Sequence, residues 1–256
     1  MGKLFRFALA LLALTAFHLP ALAAEPVDLL LVLAADVSRS IEQPKFQLQR
    51  EGYAAAISHP RVLKAITSGR HRRIALCFVE WSGAGAQKVV IDWTVVGDAE
   101  AARRFGDQLT EAPRSFAERT SISAAIDFAV TLFDHAPYAS DRRIIDISGD
   151  GNNNAGRPVV DARYEAVVRG ITINGLVILT ETPQPGSADH TNPEGGLENY
   201  YRDNVIGGPG AFVLVAENFN VFGQAIIRKM IAEVSETSDL FQVGMAGPVA
   251  SLQSAP

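Results

Sequence analysis

Three oxygen-bearing side chains occupy alternate positions directly after an apolar run in this chain of 256 residues. Asp36, Ser38 and Ser40 follow the run Val27–Ala35, whose continuous apolar composition is typical of a strand buried on both faces. Because alternate residues of an extended segment point the same way, the three side chains can present oxygens to one point. Carboxylate and hydroxyl oxygens suit a hard cation such as Mg²⁺. The spacing therefore predicts part of a cation site.

Two later segments carry oxygens that could complete such a site. Arg119–Ile126 is a hydroxyl-rich turn, with Thr120 just ahead of a helix, and Ile144–Gly151 is an apolar strand that ends at Asp150. In open α/β sheets, ligands bind beyond the carboxyl ends of the strands, at the point where the strand order switches. If the strands that precede Asp36 and Asp150 are neighbours at that point, the two aspartates converge.

The elements that must position these residues alternate between strand-like and helix-like patterns. This alternation predicts an α/β fold with a doubly wound, mostly parallel sheet and helices on both faces. The predicted strands are Val27–Ala35, Arg73–Val79, Lys88–Val95, Arg143–Ser148, Ile171–Leu179 and Ala211–Val215. The predicted helices are Pro44–Ser58, Ala99–Leu109, Ser121–His135, Pro158–Arg169 and Val221–Thr237. The strand Lys88–Val95 follows a link too short for a parallel crossover, so we expect it at an antiparallel edge.

These motifs, in this order, resemble the von Willebrand factor A (VWA) domain and its metal-ion-dependent adhesion site. The resemblance covers most of residues 27–237. It rests on the Asp-x-Ser-x-Ser pattern that starts at Asp36, on Thr120 before a helix, and on Asp150-Gly151 after a strand. The run Ser148–Asn154, together with Tyr200–Gly208, looks like an exported bacterial branch of VWA-like domains of unknown function.

The resemblance implies a divalent cation, Mg²⁺ with Mn²⁺ or Ca²⁺ as alternatives. Ser38, Ser40 and Thr120 would hold it directly or through water, and Asp36 and Asp150 would act directly or through water. Neutral hydroxyls leave such a cation under-neutralised, and Mg²⁺ keeps exchangeable waters. A partner protein could therefore supply the Asp or Glu side chain that fills the open position. The predicted function is capture of an acidic side chain by an exported binding module.

Two positions depart from the family pattern. Arg119 stands where the family usually has Gly before the threonine, and Gly149 separates Ser148 from the aspartate where Thr-Asp-Gly is usual. We expect Arg119, Asn152, Asn153 and His190 to lie where a partner binds.

Other interpretations of the same residues remain open at this stage. Ser40 and Thr120 could cap helices, and Asp36 and Asp150 could be turn residues. Positions 1, 3, 5 and 12 of a calcium-loop template are matched by Asp150, Asn152, Asn154 and Asp161, although Ala155 replaces the required Gly. The fold could also be a scaffold whose metal site has decayed.

An enzymatic function is disfavoured but has one candidate residue. The chain has no Gly-x-Ser-x-Gly elbow, His-Glu-x-x-His pair or phosphate-binding loop. His190 is the one histidine in a site-like setting. A metal-dependent hydrolase with Glu181–Gly210 as a lid is therefore the alternative function.

The ends of the chain predict a processed, exported protein. Residues 1–24 have a short basic region, an apolar segment and an Ala-x-Ala-type end, as in a secretory signal peptide. We expect a periplasmic or secreted VWA-like domain over residues 25–240, with a long loop at 181–210 near the metal face and a disordered tail at 241–256. No later apolar run approaches the length of a membrane span. The formal charge of −5, without a basic patch, argues against nucleic-acid binding.

Overall fold

The computed structural model describes residues 24–179 and 188–235, and its centre is a six-stranded sheet with helices on both faces. The strands are β1 Glu25–Pro26, β2 Leu30–Asp36, β3 Ile74–Trp81, β4 Gln87–Val96, β5 Tyr138–Ala139, β6 Arg143–Gly149, β7 Thr172–Ile178 and β8 Val213–Ala216. The helices are α1 Gln43–Ile57, α2 Pro60–Ser68, α3 Ala99–Glu111, α4 Ile122–Asp134, α5 Val159–Val168, α6 Ala188–Thr191, α7 Leu197–Tyr200 and α8 Phe222–Val234. A π-helical turn, Tyr201–Val205, continues α7, and a 3₁₀ turn, Phe219–Val221, precedes α8.

The main sheet has the strand order β4-β3-β2-β6-β7-β8, in which every neighbouring pair is parallel except β3 and β4. The prediction of a doubly wound sheet with one antiparallel edge strand is confirmed. The order switches direction between β2 and β6, where Ala35 pairs with Ser148. The carboxyl ends of these two strands therefore lie side by side. β1 and β5 form a separate parallel pair.

The central strand β2 explains why its sequence is apolar without alternation. All seven of its residues are buried, because helices cover both faces of the sheet. Leu31 and Leu33 pack into the core on the α1 and α8 side, whereas Val32 and Ala34 pack into the core on the α4 and α5 side. The sheet is therefore fixed from both sides, and the residue after the apolar run must emerge at its carboxyl edge.

The structure differs from the predictions in two stretches. The helix α2 was not predicted, since it is short and only Val62 and Ile66 are buried on it. The predicted loop 181–210 is not irregular where the structure describes it, because α6, α7 and the π-helical turn occupy much of residues 188–205. Leu197, Tyr201 and Val205, spaced four apart, are buried in the core on the α4 and α5 side.

Several predictions fall on residues that the structure does not describe. The predicted signal peptide (residues 1–23 of it), residues 180–187 of the loop and the predicted tail lie outside the described residues. Within the described ranges, no helix is both long and apolar enough to span a bilayer.

Candidate metal centre

The segment after β2 is a tight turn that the Asp36 carboxylate organises. Asp36 Oδ1 accepts a hydrogen bond from the backbone N–H of Ser38 at 2.7 Å, and Ser38 Oγ lies 3.1 Å from Ser40 Oγ. The Arg114 guanidinium holds the turn from outside, because its Nη2 donates to the carbonyl oxygens of Val37 at 2.6 Å and Ser38 at 2.9 Å. Sequence reasoning missed Arg114, which lies in the irregular segment between α3 and α4.

Asp150 reaches the same turn from the end of β6. The pairing of β2 with β6 places the residues after both strands at one edge of the sheet. Ser40 Oγ donates to Asp150 Oδ1 at 2.5 Å, a contact that joins residues 110 positions apart. The glycine inserted at position 149 therefore does not prevent the aspartate from reaching the first loop.

Thr120 is anchored to the loop that follows β6. Its backbone N–H donates to Asn154 Oδ1 at 3.0 Å, and the Asn154 N–H donates to the Thr120 carbonyl at 2.9 Å. Arg119 is exposed, and its Nη2 donates to the Asn154 carbonyl at 2.6 Å. The positive charge of Arg119 is therefore held beside the site.

The helix-capping interpretation of the hydroxyls is wrong. The residue that caps α4 is Ser121, whose Oγ accepts from the Ala124 N–H at 3.3 Å. The residue at the N-cap position of α1 is Glu42, and no side chain caps that helix. The hydroxyls of Ser40 and Thr120 therefore cap neither helix and can serve as oxygen donors of the candidate site.

His190, in α6, contacts Thr120 and the loop after β6. Its Nε2 lies 3.1 Å from Thr120 Oγ1, and its Nδ1 lies 2.7 Å from Asn152 Oδ1 and 3.2 Å from Asn154 Nδ2. The pKa of His190 is lowered by its burial and by the nearby charge of Arg119. Both effects favour the neutral form of the ring.

Asn153 is used inside the protein. Its Oδ1 accepts from the Ser123 N–H at 3.0 Å, and its Nδ2 donates to the Arg157 carbonyl at 3.2 Å. Its own N–H donates to Tyr200 OH at 3.2 Å. These bonds of Asn153 therefore fix the turn after Asp150 to α4 and α7.

The two aspartates are buried carboxylates with unsatisfied oxygens. Both residues have no exposed surface, and Asp36 Oδ2 and Asp150 Oδ2 have no hydrogen-bond partner among the described residues. Burial, followed by the neighbouring charge of Asp150, raises the pKa of Asp36 to about 8. Burial also raises the pKa of Asp150. A cation between the two carboxylates would remove this repulsion, so the donor set fits a divalent metal ion.

Tyr201 is a second feature of the site that the motifs did not show. Its hydroxyl is fully buried without a partner among the described residues, and the charges of Asp36 and Asp150 contribute to a raised pKa that is chiefly due to burial. A Cβ placed on Gly149 would lie 2.6 Å from that hydroxyl and 3.1 Å from Asp36 Oδ2. The departure from the family pattern at Gly149 therefore makes room for Tyr201.

The calcium-loop interpretation does not fit the geometry. Asp161 is exposed in the first turn of α5, and Asn154 Oδ1 is bound to the Thr120 N–H. The described residues also contain no cluster of three or more His, Cys, Asp and Glu suited to a metal. A site made mainly of serine and threonine hydroxyls does not require such a cluster.

A doubly wound sheet, with this loop set at its switch point, defines a VWA-like domain. The chain belongs to the family described as protein of unknown function (DUF1194), whose model matches residues 26–238. No curated protein has a significant match to the chain.

Solved structures share the fold at low sequence identity. One is proximal thread matrix protein 1 from the mussel byssus, solved with zinc in its metal-ion-dependent adhesion site (MIDAS) motif. It is 15% identical, with a TM-score of 0.57 over 82% of this chain and 49% of that one. A von Willebrand factor type A protein from Catenulispora acidiphila is 13% identical, with a TM-score of 0.55 over 81% and 43%. The pilus adhesin SpaC from Lactobacillus rhamnosus GG is 10% identical, with a TM-score of 0.59 over 84% and 31%. This chain spans about half or less of the length of each.

Proposed function

We propose that this protein is a binding module that captures an acidic side chain of a partner protein through a divalent cation. Asp36, Ser38, Ser40, Thr120 and Asp150 would hold the cation. The observation that carries the proposal is the meeting of two buried aspartates, each with an unsatisfied oxygen, at a turn lined by hydroxyls. The bonds from the Ser38 N–H and the Ser40 hydroxyl use one oxygen of each carboxylate, which leaves the second oxygen of each for a cation.

The residues of this chain have separable tasks in the proposed capture. Asp36 shapes the turn through its bond to the Ser38 N–H, and Arg114 fixes the backbone of that turn. The hydroxyls add no charge, and an aspartate that acts through water neutralises the cation only in part, so an open position would favour an anionic oxygen from outside. Arg119 would add to that attraction, because its guanidinium is exposed beside Thr120.

The solved relatives support the class of function rather than its details. One is described as a pilus adhesin and another as a byssus matrix protein with zinc in its MIDAS motif. Both descriptions are consistent with a VWA-like domain that binds proteins. The metal that this chain binds, its partner and its export to the periplasm or the exterior are parts of the proposal.

The first test is thermal melting of the protein in EDTA and in Mg²⁺, Mn²⁺ or Ca²⁺. A ligand of the native state at about 100 times its Kd adds about 2.7 kcal/mol of stability. We expect the metals to raise the Tm of wild type but not of Asp36→Ala or Asp36→Asn. The isosteric Asn variant keeps an acceptor for the Ser38 N–H, so its loss of response reports on the charge.

Asp161→Asn is the matched control for this test. Asp161 is an exposed aspartate of the calcium-loop template, and we expect its variant to respond to metal as wild type does. If wild type shows no response to any divalent ion, the site is a decayed scaffold and the proposal fails.

Partner capture is the second test. Immobilised wild-type protein should retain a protein from an extract of the source cells in Mg²⁺ and release it in EDTA, whereas Asp36→Ala should retain nothing above background. Equal retention by the Asp36→Ala variant would contradict the adhesion mechanism.

The hydrolase alternative rests on His190 alone. Its Nε2 lies 3.1 Å from Thr120 Oγ1 and its Nδ1 lies 2.7 Å from Asn152 Oδ1, so the ring contacts the hydroxyl set through Nε2 alone. This arrangement leaves the adhesion function better supported.

A further inference from the structure

His190 provides a nitrogen atom at the edge of the oxygen set. Its Nε2 lies 3.1 Å from Thr120 Oγ1, a group that the proposed site uses as a ligand. Two donors bound at right angles to one ion, each about 2.1 Å from it, are separated by about 3 Å. The observed separation is that of a hydrogen bond, and it also matches the spacing of two neighbouring ligands of a single cation.

The neighbours of the ring favour a lone pair on Nε2, where the one polar neighbour among the described residues is the hydroxyl of Thr120. Asn152 Oδ1 lies 2.7 Å from Nδ1 and Asn154 Nδ2 lies 3.2 Å from it, and the shorter contact, to an acceptor, favours a proton on Nδ1. The neutral imidazole then carries its lone pair on Nε2. Histidines that ligate metals almost always donate their other N–H to such an acceptor, which fixes the ring orientation.

The position of the ring is also fixed by its backbone and by packing. The Asn152 N–H donates to the His190 carbonyl at 3.1 Å, so α6 is attached to the loop after β6. The ring lies against Gly151, where a Cβ would overlap with it. His190 thus lies against Gly151, at a position that only a glycine there allows.

We propose that His190 binds the cation directly through Nε2 and makes the site prefer Zn²⁺ over Mg²⁺ and Ca²⁺. Imidazole suits zinc, nickel and copper, whereas sites made only of oxygen ligands suit magnesium and calcium. The motif segments of the chain supply oxygen donors alone, so the nitrogen comes entirely from α6. This inference rests on the proposed metal site and adds the identity of its ion.

The test is a calorimetric titration of the full chain with Zn²⁺, Mn²⁺, Mg²⁺ and Ca²⁺, each metal alone. We expect wild type to bind Zn²⁺ most tightly. His190→Ala should weaken Zn²⁺ binding at least about tenfold and leave Mg²⁺ binding within about twofold, because only the softer ion gains from the imidazole. His135→Ala, which removes an exposed histidine at the end of α4, is the control for zinc held at the surface.

Two further measurements separate ligation from a structural role. The absorption spectrum of bound Co²⁺ should differ between wild type and His190→Ala, because a nitrogen ligand leaves the coordination sphere. Asn152→Ala should weaken Zn²⁺ binding by about 10–100-fold, the usual cost of losing a partner that orients a ligand.

The outcomes distinguish this inference from the function on which it rests. Equal losses of Zn²⁺ and Mg²⁺ affinity in His190→Ala, or an unchanged Co²⁺ spectrum, would overturn the ligand role of His190 alone. The proposed function would then stand if Asp36→Asn still abolished all binding. Failure of wild type to bind any of the four metals would overturn both.

Discussion

At the scale of single residues, Asp36 carries an electrostatic conflict in the site. Its carboxylate is fully buried beside Asp150, and its pKa is raised to about 8 by burial and by that neighbouring charge. A buried charge without a compensating partner destabilises the fold. A bound cation would make the same charge favourable, so the proposed site would gain affinity for metal at the expense of stability without it.

This conflict predicts how stability without metal depends on pH. The pKa of Asp36 rises from 3.8 to about 8 on folding, so the folded state holds a proton that the unfolded chain loses as pH increases. The contribution of Asp36 to the free energy of unfolding therefore falls as pH rises between those two pKa values. In EDTA, we expect Asp36→Asn to melt increasingly above wild type between pH 5 and pH 8.

The measurement is a series of melting curves for both proteins in EDTA across that pH range. A change of 1 kcal/mol shifts the Tm of a domain of this size by about 2–4 °C. A gap between the two melting temperatures that stays constant with pH would show that Asp36 is not the group that titrates.

At the scale of elements, the π-helical turn Tyr201–Val205 brings a phenol close to Asp36 and Gly149. It continues α7 and buries Tyr201 and Val205 in the core on the α4 and α5 side. The Tyr201 hydroxyl takes the space that a side chain at position 149 would need. The lack of a side chain at Gly149 in β6 therefore accommodates the Tyr201 hydroxyl of this turn.

That match predicts a rescue in a double variant. Gly149→Ala should destabilise the protein by about 1–3 kcal/mol, the usual range for an overpacked core site. Tyr201→Phe should restore much of the loss in the Gly149→Ala background, because the atom 2.6 Å from the new Cβ is the phenol oxygen. Urea denaturation of the four proteins measures the coupling between the two positions.

Additive effects of the two changes would contradict this account. The control is Gly85→Ala, since a Cβ there meets no atom within 4 Å among the described residues. Gly85→Ala should change the free energy of unfolding little, and its effect should add to that of Tyr201→Phe.

At the scale of the whole molecule, a buried ionic group joins the sheet to α8. Lys229 Nζ has no exposure and lies 2.8 Å from Asp146 Oδ1 and 2.5 Å from Glu233 Oε1. Asn174 Nδ2, on β7, donates to the same Glu233 oxygen at 2.9 Å. The group fixes α8 against β6 and β7, on the opposite face of the sheet from Tyr201.

Replacement of Lys229, the positively charged member of this group, should destabilise the protein strongly. Lys229→Met should cost about 3–5 kcal/mol, because it leaves two acids buried without their counter-charge. Chemical denaturation should show this loss, and an exposed lysine, Lys64, gives the matched control Lys64→Met. A variant as stable as wild type would show that the ion pair contributes little.

The sequence by itself determined the layered α/β plan and the edge of the sheet where the site lies. Apolar runs such as Val27–Ala35 can be satisfied only by a sheet covered on both faces, and β2 is buried along its whole length. The alternation of elements then places Asp36 and Asp150 at carboxyl ends. Those signals are local, because each depends on the composition and spacing of neighbouring residues.

Only the tertiary structure decided which side chains meet at that edge. Ser40 contacts Asp150 across 110 positions, and Thr120 contacts His190 across 70. The capping role of Ser121, the hold of Arg114 on the first loop and the space at Gly149 for Tyr201 likewise depend on distant partners. Such contacts have no local pattern, because packing of the whole sheet and its helices fixes their distances.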